Sequence, residues 1–187
     1  MNNDTTRRLH VGGRDARPGW EILNIQAGEG VDHVGDAVDL ARFADGTFEE
    51  VYASHVLEHF DYRDGLQAAL REWFRVLAPG GTLRISVPDL DALAALLLQR
   101  QRLNINQRFQ VMRMIFGGHV DEHDYHRVGL NQEFLSAFLY DAGFDELKRV
   151  VRHGLFDDTS DLHLAGTPIS LNLVAKKPAR VAEAATA

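Results

Sequence analysis

The chain has 187 residues, of which 45% are hydrophobic and 25% charged, and these proportions are ordinary for a globular protein of one domain. The formal net charge is −7, and no run of lysines and arginines exceeds two residues, which argues against electrostatic binding of nucleic acid or of an anionic membrane. The chain contains no cysteine, so disulfides, thiolate catalysis and thiolate ligation of zinc are excluded.

The sequence is not expected to contain a signal peptide or a membrane-spanning segment. The amino-terminal residues lack an apolar signal core, and the longest apolar stretch, residues 90–99, is too short to span a bilayer. We therefore expect a cytoplasmic protein with neither a membrane nor a nucleic-acid partner. We expect one domain over residues 1–178 and a disordered tail over residues 179–187. The oligomeric state is left open by the sequence.

The first part of the chain is predicted to form four short strands. They cover residues 8–13, 20–26, 31–37 and 49–54. Three of these strands end in small or polar residues, namely the pairs Gly12-Gly13, Asp36-Ala37 and Ser54-His55.

Helices alternate with strands in the rest of the chain. A helix is predicted from Asp61 as the N-cap, because Leu66, Leu70, Trp73 and Leu77 recur at helical spacing, and "APGG" is expected to end it. The elements predicted after it are a strand over 82–88, helices over 89–104, 106–116 and 131–143, and strands over 145–153 and 168–177.

This alternation predicts an α/β protein with a mostly parallel sheet. In open sheets of that kind, ligands bind at the carboxyl ends of the strands, where the strand order reverses. We therefore expect a nucleotide-like ligand at the three small or polar strand ends.

The segment "SHVLEHF", residues 54–60, has two interpretations. His55-x-x-Glu58-His59 has the spacing of an inverted zinc-peptidase motif, and on a helix the two imidazoles would share one face. The other interpretation is a turn that lines the pocket of a cofactor.

Several stretches resemble the Rossmann-type (class I) S-adenosylmethionine-dependent methyltransferases, in a small, abridged bacterial branch. They are "LHVGG", "GDAVDLARFADGTFEEVYASHVLEHF", "ALREWFRVLAPGGTLRISVPDL" and "LSAFLYDAGF", and the resemblance spans residues 8 to 177. It implies a three-layer Rossmann-like sandwich and S-adenosyl-L-methionine as the cofactor. It also accounts for residues 54–60 as a pocket-lining turn, so that no metal is expected.

The resemblance implies a cofactor site made from the strand ends. Gly12 and Gly13 would let the backbone approach the methionyl part. Asp36 would accept a hydrogen bond from the adenine amino group, and the Ala37 N–H would meet a ring nitrogen. Ser54 and His55 would line the pocket near the methionine.

The ribose position departs from the family pattern. The family often ends the second strand with an acidic residue that binds both ribose hydroxyls, whereas this chain has Gln26 there, with Glu29 or Asp32 as substitutes in the following loop.

The links between the first three strands also depart from the pattern. Residues 14–19 and 27–32 connect them, although a parallel crossover normally takes about a dozen residues or more. The first two crossover helices are therefore predicted to be shortened or missing. Either the links cross as short extended segments or part of this region pairs antiparallel.

Residues 117–129 form a loop rich in histidine and acidic residues, which lies within a predicted insertion over 99–130. It could bind a divalent ion, be a solvated surface loop, or act as a lid over the acceptor. His59 and His126 are the candidate catalytic bases, and Tyr125 could orient an acceptor hydroxyl.

The leading functional hypothesis is an S-adenosylmethionine-dependent methyltransferase that acts on a small-molecule or glycan-type hydroxyl or amine. The alternatives are a catalytically inactive methyltransferase-like binding module, with a crevice blocked by side chains, and a zinc hydrolase that uses His55, Glu58 and His59. No G-x-S-x-G and no phosphate-binding G-x-x-x-x-G-K-[ST] motif occurs.

Overall fold

The computed structural model describes residues 7–179, so nearly all of the predicted tail lies outside the described residues. The strands are β1 Arg8–Val11, β2 Glu21–Asn24, β3 His33–Val34, β4 Phe48–Ser54, β5 Leu77–Pro88, β6 Asp145–Val150, β7 His163–Leu164, β8 Thr167–Pro168 and β9 Ser170–Lys176. The helices are α1 Gly65–Val76, α2 Leu90–Leu98, α3 Ile105–Phe116 and α4 Gln132–Asp141, with 3₁₀ turns at Leu57–His59 and Thr159–Asp161.

Seven of the strands form one sheet in the order β3-β2-β1-β4-β5-β9-β6. Strands β1 to β5 pair parallel, and only β9 runs antiparallel to its neighbours β5 and β6. The strand order reverses between β1 and β4, because the chain builds outward to β3 and then returns to the other side of β1. The predicted α/β class, with a mostly parallel sheet, is confirmed.

The first two crossovers are short and contain no helix. Even so, β2 pairs parallel to β1, with Leu9 opposite Glu21, and β3 pairs parallel to β2, with Leu23 opposite His33. The interpretation as short extended links is therefore correct, and antiparallel pairing is wrong. The Asp32 carboxylate reinforces this edge of the sheet, since it accepts a hydrogen bond from the Ile22 N–H at 2.8 Å.

Two predicted bounds of α1 differ from the structure. Asp61 is not the N-cap: α1 begins at Gly65, and the Asp61 carboxylate accepts hydrogen bonds from the N–H groups of Arg63 and Asp64 in the turn before the helix. The "APGG" segment, residues 78–81, lies within β5, because Leu77 already has extended backbone angles.

Helix α1 packs its apolar face on the sheet and fixes the segment that follows β3. Trp73 is fully buried, and its indole N–H donates to the Ala37 carbonyl at 3.0 Å. Two residues further on, Arg75 donates to the carbonyls of Leu40 and Phe43. These hydrogen bonds from α1 therefore fix the position of residues 37–43.

A second hydrophobic cluster lies apart from the main core, between α2 and α3. Its buried members are Leu93, Leu96, Leu103, Val111 and Ile169. These helices continue from the carboxyl end of β5, so the cluster supports the part of the chain that borders the site. Within residues 7–179, no helix combines the length and the apolar character needed to cross a membrane.

Candidate functional site

A pocket of about 390 Å³ lies at the carboxyl ends of the parallel strands, where the strand order reverses. It is lined by Gly12 after β1, Ile25 after β2, Asp36 after β3 and His55 after β4. The predicted convergence of the strand ends on one open cleft is therefore observed. This is the position that open α/β sheets use for ligands, and the volume falls in the usual range for small-molecule sites.

Asp36 and Ala37 both line this pocket. One Asp36 oxygen accepts a hydrogen bond from the Val38 N–H at 3.1 Å, which forms the local turn expected of an aspartate in a loop. Its other oxygen makes no hydrogen bond to the described residues and can accept one from a ligand. The Ala37 carbonyl is held by Trp73, so this wall of the pocket is rigidly positioned.

The two glycines after β1 have different surroundings. Gly12 lines the pocket with a positive φ of 80°, and a Cβ there would overlap Cγ2 of Val56. Gly13 does not line it, because it packs against the imidazole of His10. Of these two glycines, Gly12 brings bare backbone to the cavity, and contact of Gly13 with the ligand stays a prediction.

The end of β2 also differs from the prediction. Gln26 does not line the pocket, because its side chain accepts a hydrogen bond from Arg14 at 2.6 Å and lies 3.4 Å from the Asp121 carboxylate. Asn24 lines it instead and is 6% exposed. The substitutes Glu29 and Asp32 do not line it either.

The turn after β4 holds the residues of the zinc-like motif. His55 has a left-handed backbone with φ of 55°, and residues 57–59 form a single 3₁₀ turn rather than an α-helix. His55 lines the pocket, whereas Ser54 does not, because its hydroxyl is buried and has no hydrogen-bond partner within the described chain. The helical face that the zinc-peptidase interpretation needs is absent from this segment.

Glu58 is a buried carboxylate behind this turn, with 1% of its side chain exposed. His55 Nδ1 lies 3.2 Å from its Oε1, and His126 Nε2 lies 3.9 Å from the same oxygen. Burial raises the pKa of Glu58 most strongly, but contact with His55 and the nearby His59 and His126 together outweigh it and hold the pKa below its usual range.

The two candidate bases meet at the boundary between two pockets. The rings of His59 and His126 lie 4.9 Å apart. His59 lines the first pocket, whereas His126 lines a second pocket of about 310 Å³. His55 lines both. Burial lowers the pKa of His126 despite the nearby Glu58 carboxylate, which favours the neutral imidazole.

The histidine-rich loop covers one side of the first pocket. Its residues Glu122, His123, Tyr125 and Arg127 all line the cavity. The Arg127 N–H donates to the Glu58 carbonyl at 2.8 Å, which ties the loop to the turn after β4. The three histidines of the loop do not form one group, and only His126 joins Glu58 and His59.

Sequence reasoning missed three lining residues with polar side chains: Arg14, Asn24 and Asp61. Arg14 directly follows Gly12-Gly13, a pair predicted to lie at the ligand site, so its position in the pocket could have been predicted from the sequence. Asn24 was missed because the second strand was predicted to continue to residue 26, whereas β2 ends at Asn24. Asp61 was assigned to helix capping, and it lines the pocket from the turn that it stabilises.

The comparisons with known proteins agree with this geometry. The sequence profile of the family described as "Methyltransferase domain" matches residues 15–85, which run from the first crossover into β5. A search of the curated proteins finds no match to the chain.

Solved structures extend the similarity beyond the profile match. A SAM dependent methyltransferase from Archaeoglobus fulgidus has a TM-score of 0.60 and 18% identity, over 92% of this chain and 86% of that one. A 1,6-didemethyltoxoflavin-N1-methyltransferase from Burkholderia thailandensis, solved with 1,6-didemethyltoxoflavin and S-adenosylhomocysteine, has a TM-score of 0.54 and 15% identity, over 92% and 72%.

A third structure is longer than this chain. A possible exported protein from Bordetella parapertussis has a TM-score of 0.58 and 15% identity, over 93% of this chain, and the chain spans 63% of that protein's length. At these identities the three structures establish the fold, and the profile match adds the methyltransferase sequence pattern. Residues 15–85 therefore match a methyltransferase-domain family, the fold is that of solved S-adenosylmethionine-dependent methyltransferases, and these similarities support S-adenosyl-L-methionine as the cofactor.

Proposed function

We propose that this protein transfers a methyl group from S-adenosylmethionine to a hydroxyl or amine of a small-molecule or glycan acceptor. The observation that carries the proposal is the pair of adjoining pockets, which share His55. The first would hold the cofactor and the second the acceptor. The cytoplasmic location stays a prediction.

The first pocket has groups suited to each part of the cofactor. The free oxygen of Asp36 would accept a hydrogen bond from the adenine amino group, with the Ala37 N–H at a ring nitrogen. Arg14 would bind the methionyl carboxylate by a charge-assisted hydrogen bond. The carboxylates of Asp61 and Glu122 also line the pocket and would bind the ribose hydroxyls in place of Gln26.

The second pocket suits a polar acceptor. Its lining includes Gln110, Arg113, Asp124 and Thr159, which offer both donors and acceptors of hydrogen bonds. A sugar or another hydroxylated small molecule has the matching groups. Residues 99–130 supply much of this wall, which supports the prediction that they form the acceptor side.

The enzyme would chiefly align the two reactants, because the sulfonium carries its own electrophile. The acceptor's lone pair would attack the methyl carbon, and the electron pair of the broken C–S bond would stay on sulfur. His59 and His126 lie where the pockets meet and are the candidates to take the acceptor's proton.

The two alternative hypotheses find less support. An inactive binding module predicted a crevice blocked by side chains, whereas the first pocket is open. A zinc hydrolase predicted His55 and His59 on one helical face, whereas His55 lies outside the 3₁₀ turn that contains His59. The zinc hydrolase also does not account for the methyltransferase profile match.

Calorimetry with S-adenosylhomocysteine tests the cofactor half of the proposal. We expect one molecule bound per chain, and no heat at millimolar ligand would contradict it. The acceptor half is tested with S-adenosylmethionine tritiated in its methyl group and a fractionated cell extract. Label is expected in the fraction of small molecules and glycans, and label found only in protein or nucleic acid would overturn that half.

A further inference from the structure

Glu58, His59 and His126 bring three metal-ligating atoms together at the wall between the two pockets. Their ligand atoms all lie within 4.8 Å of one another. We refer to these three residues as the Glu–His cluster. They come from two separate parts of the chain, the turn after β4 and the histidine-rich loop.

Both histidines of the cluster are held in the tautomer that a metal requires. Nδ1 of His59 lies 3.2 Å from the Tyr125 carbonyl, and Nδ1 of His126 lies 3.1 Å from the Met114 carbonyl. A carbonyl oxygen only accepts, so each Nδ1 carries the hydrogen and each Nε2 keeps its lone pair. Histidine ligands of metals commonly donate their other N–H to a backbone carbonyl in this way.

The third member of the cluster is a buried carboxylate without hydrogen bonds. Glu58 has 1% of its side chain exposed, and neither of its oxygens has a hydrogen-bond partner among residues 7–179. Leaving a buried carboxylate unsatisfied costs several kcal/mol, as an order of magnitude, so such groups are usually paired or bound to a cation.

The orientation of His55 is a second reason to expect a cation beside Glu58. The Ser170 hydroxyl donates its hydrogen to the Thr159 carbonyl, so it accepts one from His55 Nε2 at 3.0 Å. A neutral His55 therefore presents the Nδ1 lone pair to Glu58 Oε1 at 3.2 Å. Two lone pairs that face each other require either a proton or a metal ion between or beside them.

We propose that the Glu–His cluster binds one divalent transition-metal ion, such as Zn²⁺, Co²⁺ or Mn²⁺, at the junction of the two pockets. Two imidazoles and one carboxylate favour such an ion over Mg²⁺ or Ca²⁺, which prefer shells made of oxygen atoms alone. Three protein ligands also leave positions open for an acceptor oxygen, as in catalytic metal sites.

The cluster needs only a small contraction to bind an ion. A tetrahedral shell with bonds near 2.1 Å separates its ligand atoms by roughly 3.4 Å. Glu58 Oε1 and His126 Nε2 already lie 3.9 Å apart. The other ligand atoms lie at most 4.8 Å apart, so they would have to approach by at most about 1.4 Å.

The role of the ion rests on the proposed function. An ion that binds the acceptor's hydroxyl oxygen lowers the pKa of that hydroxyl, so its proton leaves to water before or during the transfer. The oxygen then forms the new bond to the methyl carbon, and the C–S pair stays on sulfur. His59 and His126 would act as ligands of the ion rather than as bases.

Titration of the metal-free protein with Co²⁺ or Zn²⁺ tests the site. The protein carries no affinity tag, and binding is followed by calorimetry and by the visible spectrum of Co²⁺ in the absence of cofactor. We expect one ion per chain, with affinity lowered at least a hundredfold in His59→Gln and Glu58→Gln. The proposal would be overturned if the wild type did not bind one ion per chain, or if both variants bound the ion with unchanged affinity.

His163→Gln is the matched control, because His163 is exposed and its Nδ1 also contacts a backbone carbonyl, that of Asp161 at 2.9 Å. It should bind metal like the wild type. His59→Gln keeps the test decisive if Glu58→Gln fails to fold, since His59 is only half-buried. S-adenosylhomocysteine binding is measured separately without metal, so failure of the metal site and failure of the proposed function are distinguishable.

Discussion

Glu58 illustrates how one side chain can depend on several distant parts of the chain. Its carboxylate is buried behind a 3₁₀ turn, its backbone carbonyl accepts from Arg127, and the charges around it come from His55, His59 and His126. The negative charge of a buried carboxylate among three histidines is balanced either by protons on the histidines or by a bound cation.

Asp36→Ala tests the adenine contact at the residue scale. We expect S-adenosylhomocysteine to bind about tenfold more weakly, since one hydrogen bond to a carboxylate is lost. Asp39→Ala is the control. Asp39 accepts from the Ala41 N–H at 3.1 Å, in the same kind of turn as Asp36, but it does not line the pocket. Equal affinities in the two variants, measured by calorimetry, would show that Asp36 does not contact the cofactor.

Gly12→Ala tests the close approach of the backbone at the end of β1. The new methyl group would overlap Val56 and would occupy a left-handed conformation. Gly154→Ala is the control, because Gly154 has φ of 66° and open space around its Cα. The left-handed backbone alone costs about 1 kcal/mol, and the overlap adds about 1–3 kcal/mol. Urea unfolding should therefore rank Gly12→Ala clearly below Gly154→Ala, and similar stabilities would contradict the packing described.

At the scale of elements, helix α1 positions the site although none of its residues lines the pocket. Its residue Trp73 holds the Ala37 carbonyl, and its Arg75 holds the segment that follows. The short crossovers before β2 and β3 have no helix of their own to do this. The loop after β3 therefore takes its position from direct hydrogen bonds with α1.

Asn104→Ala tests the independence of the α2–α3 unit. Asn104 and Gln107 form a capping box, in which each side chain accepts from the other residue's N–H at 3.0 Å. Its loss should cost about 1 kcal/mol and speed hydrogen exchange in the first turn of α3, with little change in β1 to β4. Asn106→Ala, at an exposed position in the same turn, should not speed that exchange. Equal effects in both variants would show that the cap is not formed.

At the scale of the whole molecule, stability should fall in mild acid. His10 is 5% exposed, and burial lowers its pKa to about 4 although Asp158 and Asp15 act in the opposite direction. The unfolded chain takes up this proton below about pH 6.5, whereas the folded protein does so only near pH 4. Between these pH values the unfolded state therefore binds more protons than the folded state. Lowering the pH stabilises the unfolded state relative to the folded state, so the free energy of unfolding decreases.

From pH 7 to pH 5, His10 alone should lower the free energy of unfolding by about 2 kcal/mol. Denaturant unfolding at the two pH values measures this loss. In His10→Leu the loss should be smaller by that amount, because the residue no longer titrates, whereas the exposed His163→Leu should keep it. An equal loss in His10→Leu and the wild type would contradict the prediction.

The sequence predicted the large-scale features because they depend on local patterns. Strands were correctly predicted over 49–54 and 82–88, helical spacing marked α1, and Asn131 was correctly predicted as the cap of α4, with its side chain accepting from the Phe134 N–H. Asp61 was predicted as the N-cap three residues too early, because its carboxylate accepts hydrogen bonds in the turn before the helix, and "APGG" belongs to the strand that follows α1.

The sequence by itself determined the class of fold, the methyltransferase resemblance and the edge of the sheet at which a ligand would bind, because strand ends follow from chain order. The tertiary structure decided which of those residues face the cavity. Gln26 lies away from it because Arg14 binds its side chain, and Gly13 because His10 packs on it. It also brought His126 beside Glu58 and His59, a contact between residues nearly seventy positions apart that no local spacing specifies.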